Sequence, residues 1–484
     1  MLRDLVSEAL ALQYEERLLL WDVNGFYRFI DYERLLTENG FIVMYYDDVE
    51  AFRLKYEKDI KPSEAKVAVI LTEDLYVPYD IRRAFHETEL TLGTLFPKLD
   101  ETVLLPYTAD IDIIAFAYRR LFGGCLSKQE TLRFILDTAL SASGINEYAQ
   151  YRISIIQNRI KSSKDHPINR HEWAEIALEK ALIEVNAARV GISVDFAFVD
   201  DAFQSFVFGD YSMLAGSTDT DAPAILTQTL DFITKGKAAL IVMDGMSLFD
   251  FSVLSRHLNG IDFEQYCTYA MIPTTTAISR QSLLSGKYSR KLANPFTLNR
   301  EEKEFFKAAE EHGYTRKQAA YVHGYDVNVS RTTRLLAVIL NDIDDIVHGQ
   351  RQGRRGMYND INLFAESGKL QALIRSLINN DYMVYLTSDH GNTVCSGIGA
   401  LRNTGVEMEN KAKRAFILKD FAQVDENMTN HTLEFPGYYL DKGYRYLVCK
   451  TGISFDNVGI EVMTHGGITL DEVIVPFIKI RAVK

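Results

Sequence analysis

The chain has 484 residues, 47% of them apolar and 25% charged, with a formal net charge of −13. This is the composition of a soluble globular protein too long for one hydrophobic core. It excludes a disordered chain, and it excludes a protein that holds nucleic acid by a general positive surface. No run of eighteen apolar residues marks a membrane span, so no membrane partner is expected. Cys125, Cys267, Cys395 and Cys449 lie far apart with no C-x-x-C pair, which suits a reducing cytoplasm and not a disulfide framework or zinc knuckle.

The opening MLRDLVSEALALQYEERLLLWD carries acids among its apolar residues and lacks a small-residue cleavage site. It reads as a helix followed by a strand, not as a signal peptide. RLLLWD, FIVMYY and KVAVIL are short apolar strands separated by the helical spacings of DYERLLTENG and VEAFRLKYEKDI. Residues 1–125 are therefore expected to form a small N-terminal βαβ domain with a parallel sheet. A phosphoacceptor receiver is not expected, although Asp22 ends the first strand, because the third strand ends Leu71-Thr72-Glu73-Asp74.

Residues 126–225 change to helical spacing in KQETLRFILDTALSAS, INEYAQYRISIIQNRIKSS and NRHEWAEIALEKALIEVNAARVG, and read as a helical connector. The small, polar STDTDAPA (217–224) is the expected hinge, and no chemistry is visible in this region.

From 226 to 484 the alternation resumes, with KAALIVMD, QYCTYAMI, LLAVILND, YMVYLTSD, KRAFILK and VIVPFIKI as strands. Near-continuous apolar strands with helices between them imply an α/β domain whose mostly parallel sheet is covered on both faces. In such sheets ligands bind beyond the carboxyl ends of the strands. Those ends carry Asp244 in DGMS, the run TTTAISR after Pro273, NDIDDIVHG, and the Asp389-His390 pair, while MTHGGITLDE brings His465 just before the last strand. Asp344 and His348, four apart, share one face of a helical turn.

Singly, each residue has an ordinary structural explanation. Asp244 suits a helix N-cap, the three threonines a strand-to-helix turn, the aspartates of 342–345 a solvated face, and His348 a helix C-terminus. Jointly they do not. Two carboxylates about 4 Å apart repel by roughly 4 kcal/mol at an effective dielectric near 20. Three aspartates and three histidines at one sheet edge therefore call for bound cations, and two divalent metals held by Asp and neutral His are the expected solution. Zinc suits this mixed set best, with manganese as the alternative.

The order DGM, P-x-x-T, D-x-x-x-H, SDHG and THGG resembles the alkaline phosphatase superfamily, and most of all its PglZ branch, associated with bacterial phage defence and with some response regulators. The similarity is densest in VMDGMS, IPTTTAISRQSLLSGK, DIDDIVHG, YLTSDHGNT and THGGITLDEVIVPF. The resemblance implies that Asp244, Asp389 and His390 bind one metal together with a nucleophile oxygen, and that Asp344, His348 and His465 bind the other. It places the nucleophile at Thr276, three residues after Pro273. Threonine there implies phosphoryl chemistry, often on diesters, and argues against sulfate esters.

Val347 stands where related phosphodiesterases have glycine, and Asp345 also lies within helical reach of His348; the resemblance favours Asp344, because its four-residue separation matches the related motif. Arg280, four after Thr276, offers a planar fork for a substrate phosphate or, equally, an ion-pairing group. The loop QRQGRRG with Arg351, Arg354 and Arg355 is a local basic patch or a solvated loop.

The sequence thus leads to a cytoplasmic two-metal phosphodiesterase or phosphatase with a threonine nucleophile. Its expected substrate is a phosphoester, nucleotides and oligonucleotides among the candidates, and its expected protein partners are components of a defence system. The alternative is a non-catalytic or regulatory assembly component whose metal site is structural.

Overall fold

In the computed structural model, which describes residues 1–22, 25, 32–61, 64–163, 167–233, 236–399, 412–419 and 426–480, the chain forms two units, Met1–Gln150 and Tyr151–Lys484.

In the first unit the helix Leu2–Ala9 precedes β1 (Arg17–Trp21), followed by β2 (Phe41–Tyr45), β3 (Lys66–Leu71) and β4 (His86–Glu89). Their order is β2-β3-β1-β4, and every pairing is parallel. The apolar runs explain the order. LLL of β1 and VAVIL of β3 are buried throughout and take the centre, where both sheet faces are covered. The polar HETE of β4 takes one edge, and β2, with Ile42 and Tyr45 half exposed, takes the other.

In the second unit the helices Arg170–Arg189 and Ala197–Gly209 precede the strands. Its strands follow: β5 (Ala238–Met243), β6 (Phe263–Tyr269), β7 (Ala319–His323), β8 (Leu335–Leu340), β9 (Met383–Thr387), β10 (Thr393–Gly397), β11 (Ala415–Lys419), β12 (Thr432–Phe435), β13 (Tyr444–Cys449), β14 (Ile453–Ser454), β15 (Glu461–Thr464) and β16 (Ile474–Ile480). Six of them form the main sheet in the order β6-β16-β9-β5-β8-β7. The pairings among β9, β5, β8 and β7 are parallel, and β16 alone runs the other way, antiparallel to both β9 and β6. Every residue of β5 and β8 is buried, as unbroken runs such as AALIVM and LLAVIL require.

Two assignments of strands to this sheet differ from the sequence reading. KRAFILK supplies β11, which lies outside the main sheet in an antiparallel trio, β11-β13-β12. The sixth place is taken by AAYVH, β7, an edge strand whose half-buried, aromatic pattern gave no clear apolar run. Composition identifies a strand but not the sheet it joins.

The small sheet β14-β10-β15 bears directly on the site. β10 pairs antiparallel with β15, Thr393 opposite Thr464, so the chain leaves that pair toward Asn392 on one strand and His465 on the other. Because β16 is reversed, its beginning lies at the carboxyl edge of its parallel neighbours. Among the described residues no helix is long and apolar enough to cross a membrane.

Candidate metal centre

Asp244 follows β5, Asp389 and His390 follow β9, Asp344 and His348 lie on the helix Asp342–Gly349 after β8, and His465 follows β15. The ligand atoms of Asp244, Asp389 and His390 lie within 4.8 Å of one another, as do those of Asp344, His348 and His465. The two groups adjoin, for the rings of His390 and His465 stack with centroids 4.1 Å apart. Asp344 Oδ1 is 3.1 Å from His348 Nε2, whereas Asp345, one residue on, is exposed.

Local chemistry fixes this arrangement. The Ser388 hydroxyl accepts the Met246 N–H (2.9 Å) and lies within donating distance of the carbonyls of Met243 (2.7 Å) and His390 (2.6 Å), which share its one proton, tying the end of β9 to the turn after β5. Asp389 Oδ1 accepts the N–H groups of Gly245 and His390 at 3.1 and 3.0 Å. Gly245 makes that turn at φ +72°, a conformation glycine adopts without strain. Gly391 is required for closeness: a Cβ there would stand 1.8 Å from the carbonyl oxygen of Asp471.

Both buried imidazoles are oriented by backbone carbonyls. His390 Nδ1 lies 3.0 Å from the Gly391 oxygen, and His465 Nδ1 lies 3.0 Å from the Thr274 oxygen. A carbonyl only accepts, so each Nδ1 donates to it and each ring turns its Nε2 into the site. His390 Nε2 then faces Asp244 Oδ1 at 3.6 Å, and His465 Nε2 faces Asp344 Oδ1 at 3.7 Å.

Asp244 Oδ1, Asp389 Oδ2 and His465 Nε2 are buried and have no hydrogen-bond partner among the described residues. Burial, reinforced by the neighbouring Asp389, pushes the Asp244 carboxyl well above the usual carboxylate range. Burial raises Asp389 to about 6, and burial next to His390 holds His465 well below the ordinary imidazole value. These orphaned acceptors fit divalent cations, which would satisfy all of them at once.

Thr276 is the first residue of the helix Thr276–Ser285, and its Oγ1 lies 3.0 Å from His390 Nε2. Of the three consecutive threonines it alone is partly exposed. Thr274 is committed to structure: its hydroxyl donates to the Gly467 carbonyl (2.8 Å) and accepts the Gly466 N–H (3.1 Å). Arg280 faces inward, 3% exposed, donating from Nη1 to Asp244 Oδ2 at 2.6 Å and from Nε to Glu301 Oε2 at 2.8 Å. Glu301 also accepts the Tyr321 hydroxyl, from β7.

The basic loop divides. Arg351 and Arg355 are exposed, while Arg354 turns inward to Asp471 Oδ2 (2.5 Å) and lies 4.9 Å from the Phe249 ring centre. From the helical region, Lys180 on Arg170–Arg189 also reaches Asp471 Oδ2, at 2.5 Å. Of the residues the sequence reading passed over, Glu472 had a signal, T-x-x-E at Thr469–Glu472, a capping box that forms. Lys180, Glu301 and Arg414 had none.

A family model described as the BREX system PglZ alkaline phosphatase-like domain matches residues 227–480. No curated protein matches the chain. Among solved structures, murine ectonucleotide pyrophosphatase/phosphodiesterase 5, in an inactive form with AMP, is 12% identical and covers 51% of this chain and 88% of its own, with a TM-score of 0.33. The human protein of that name is 14% identical over 51% of this chain and 87% of its own, TM-score 0.32. Phosphonoacetate hydrolase from Sinorhizobium meliloti, with phosphonoacetate, is 10% identical over 50% and 89%, TM-score 0.30.

Proposed function

Since the chain belongs to the PglZ family of alkaline phosphatase-like domains, we propose that it is a metal-dependent phosphoester hydrolase, a phosphodiesterase with Thr276 as nucleophile. One observation carries this reading: two buried imidazoles, each held at Nδ1 by a backbone carbonyl, aim Nε2 at carboxylate oxygens beside a partly exposed hydroxyl. Asp244, Asp389 and His390 would hold one divalent ion and Asp344, His348 and His465 a second, zinc before manganese given the His/Asp donors. Bound divalent ions lower the pKa of an adjacent hydroxyl and offset the charge of phosphoryl oxygens.

The chain's own residues supply the rest. Thr276 loses its proton to solvent, and Oγ1 attacks phosphorus as the bond to the leaving alcohol breaks, giving a phosphothreonine. Water then cleaves the Oγ1–P bond, releasing the phosphate product and restoring the hydroxyl. The helix that begins at Thr276 directs its unpaired first-turn N–H groups toward the developing negative charge. Arg280 acts behind Asp244, neutralising and orienting it, and not by contact with substrate.

Nucleotides or oligonucleotides are the proposed substrates. The BREX description of the matching family supports a place in a phage-defence system, with residues 1–125 as the part that engages its proteins. Hydrolysis of an aryl phosphodiester that is lost with a chelator and restored by zinc or manganese tests the reading. Full metal loading with no turnover on any phosphoester would favour a structural metal site in an assembly component.

A further inference from the structure

The turn between His465 and β16 is held from two sides. Glu472 accepts the N–H groups of Gly467 (2.7 Å) and Thr469 (3.0 Å), and it pairs with Arg414 Nε at 3.1 Å, both side chains being fully buried. Asp471, its neighbour, lies 2.5 Å from both Lys180 Nζ and Arg354 Nη2. Glu184 closes the set, 3.1 Å from Lys180 and 3.4 Å from Arg354 Nε, so that positive and negative groups alternate.

The backbone of the same two residues backs the other ligand group. Gly391 N–H donates to the Glu472 carbonyl at 3.0 Å, and the Asp471 carbonyl occupies the space that a Cβ on Gly391 would need. A displacement of Asp471 therefore moves both the segment that carries His465 and the residue next to His390.

Burial works against the Lys180 charge, but Asp471 and Glu184 more than offset it and hold the ammonium above its ordinary value. Burial would likewise raise Asp471, but Lys180 and Arg354 hold it below the usual carboxylate range. Buried ion networks are poor stabilisers compared with apolar packing of the same volume. Stability is thus a weak reason for four charges here, and geometry is a better one.

We propose that Lys180 is a positioning residue for both ligand groups: together with Arg354 it fixes Asp471, and through Asp471 the turn that carries His465 and backs His390. The proposal rests on reading the two groups as metal sites. Groups behind metal ligands typically contribute 10–100-fold to metal affinity.

Zinc affinity of the full chain, measured by competition with a chromophoric chelator, is the readout, alongside the thermal midpoint of the metal-free protein. Lys180→Met should weaken zinc binding at least ~10-fold, and Lys180→Arg, which keeps the charge, should bind as the wild type does. A folded Lys180→Met protein with wild-type zinc affinity overturns the proposal. If Lys180→Met does not fold, the charge-balanced Lys180→Met/Asp471→Asn variant carries the same expectation. If neither folds, the network serves stability alone and the proposal falls. A wild type that takes up no zinc refutes the metal reading itself, a result visible without any variant.

Discussion

Thr276 Oγ1 lies 3.0 Å from Nε2 of His390, although 114 positions separate the two residues. The hydroxyl opens a helix, the imidazole closes a strand, and the His390 ring is fixed from behind by the Gly391 carbonyl. Of the three consecutive threonines, Thr276 is the one that solvent reaches.

Thr276→Ala should abolish phosphodiester turnover while leaving the fold and most of the bound metal in place. Thr274→Val should act differently, costing about 1–3 kcal/mol of stability because it strands the buried Gly466 N–H and Gly467 carbonyl. Urea unfolding with parallel rate measurements separates the two. An active Thr276→Ala protein would place the nucleophile elsewhere.

Elemental analysis of the purified chain should find about two transition-metal ions, one for each ligand group. The double change Asp389→Ala/His390→Ala should lower that number and lower the thermal midpoint in the presence of metal, because an ion bound only to the folded state adds about 2.7 kcal/mol at a hundredfold excess over its Kd. Unchanged loading would contradict the assignment of these two residues.

Arg280 lies between Asp244 and Glu301, all three buried. Arg280→Met leaves two buried carboxylates without their cation and should destabilise the metal-free protein by about 3–5 kcal/mol. A group that only contacted substrate would raise KM and leave the unfolding midpoint alone. A stable Arg280→Met protein with a raised KM would therefore restore the substrate-contact role.

Asp200 accepts the Leu470 N–H at 2.9 Å, and burial raises its carboxyl to about 7 against the opposing pull of Lys180. The folded protein thus retains a proton that the unfolded chain releases near pH 4. This stabilisation is fully present below the unfolded value and is lost as pH rises through about 7. Relative to wild type, Asp200→Asn should gain stability from pH 4 to about pH 7 and level off above it, followed by urea titration with chelator present. A difference that does not vary with pH would contradict it.

The net charge of −13 opposes long polyanions. With Arg354 committed to Asp471 and Arg280 to Asp244, the basic groups left near the site are fewer than the sequence suggests. Small or single-stranded phosphodiesters should be hydrolysed faster than long duplex DNA, and duplex affinity should be weak and fall with salt. Tight duplex binding by the purified chain at physiological salt would reveal a concentrated basic face.

The sequence alone determined which residues stand at the strand ends, because each signal is local. A parallel strand delivers its last residue to one edge of the sheet, so Asp244, Asp389 and His390 were legible as strand ends. The helical period puts Asp344 and His348 on one face. Only the tertiary structure decided who stands opposite whom. The antiparallel register of Thr393 with Thr464 brings His465 to the site across some seventy residues. Arg280 pairs with Asp244 and Glu301, and a lysine on a helix with no visible chemistry meets Asp471 across 291 positions. Periodicity reports the face on which a side chain lies, whereas partnership between buried charges depends on how those faces pack. Such pairings leave no pattern in either local stretch.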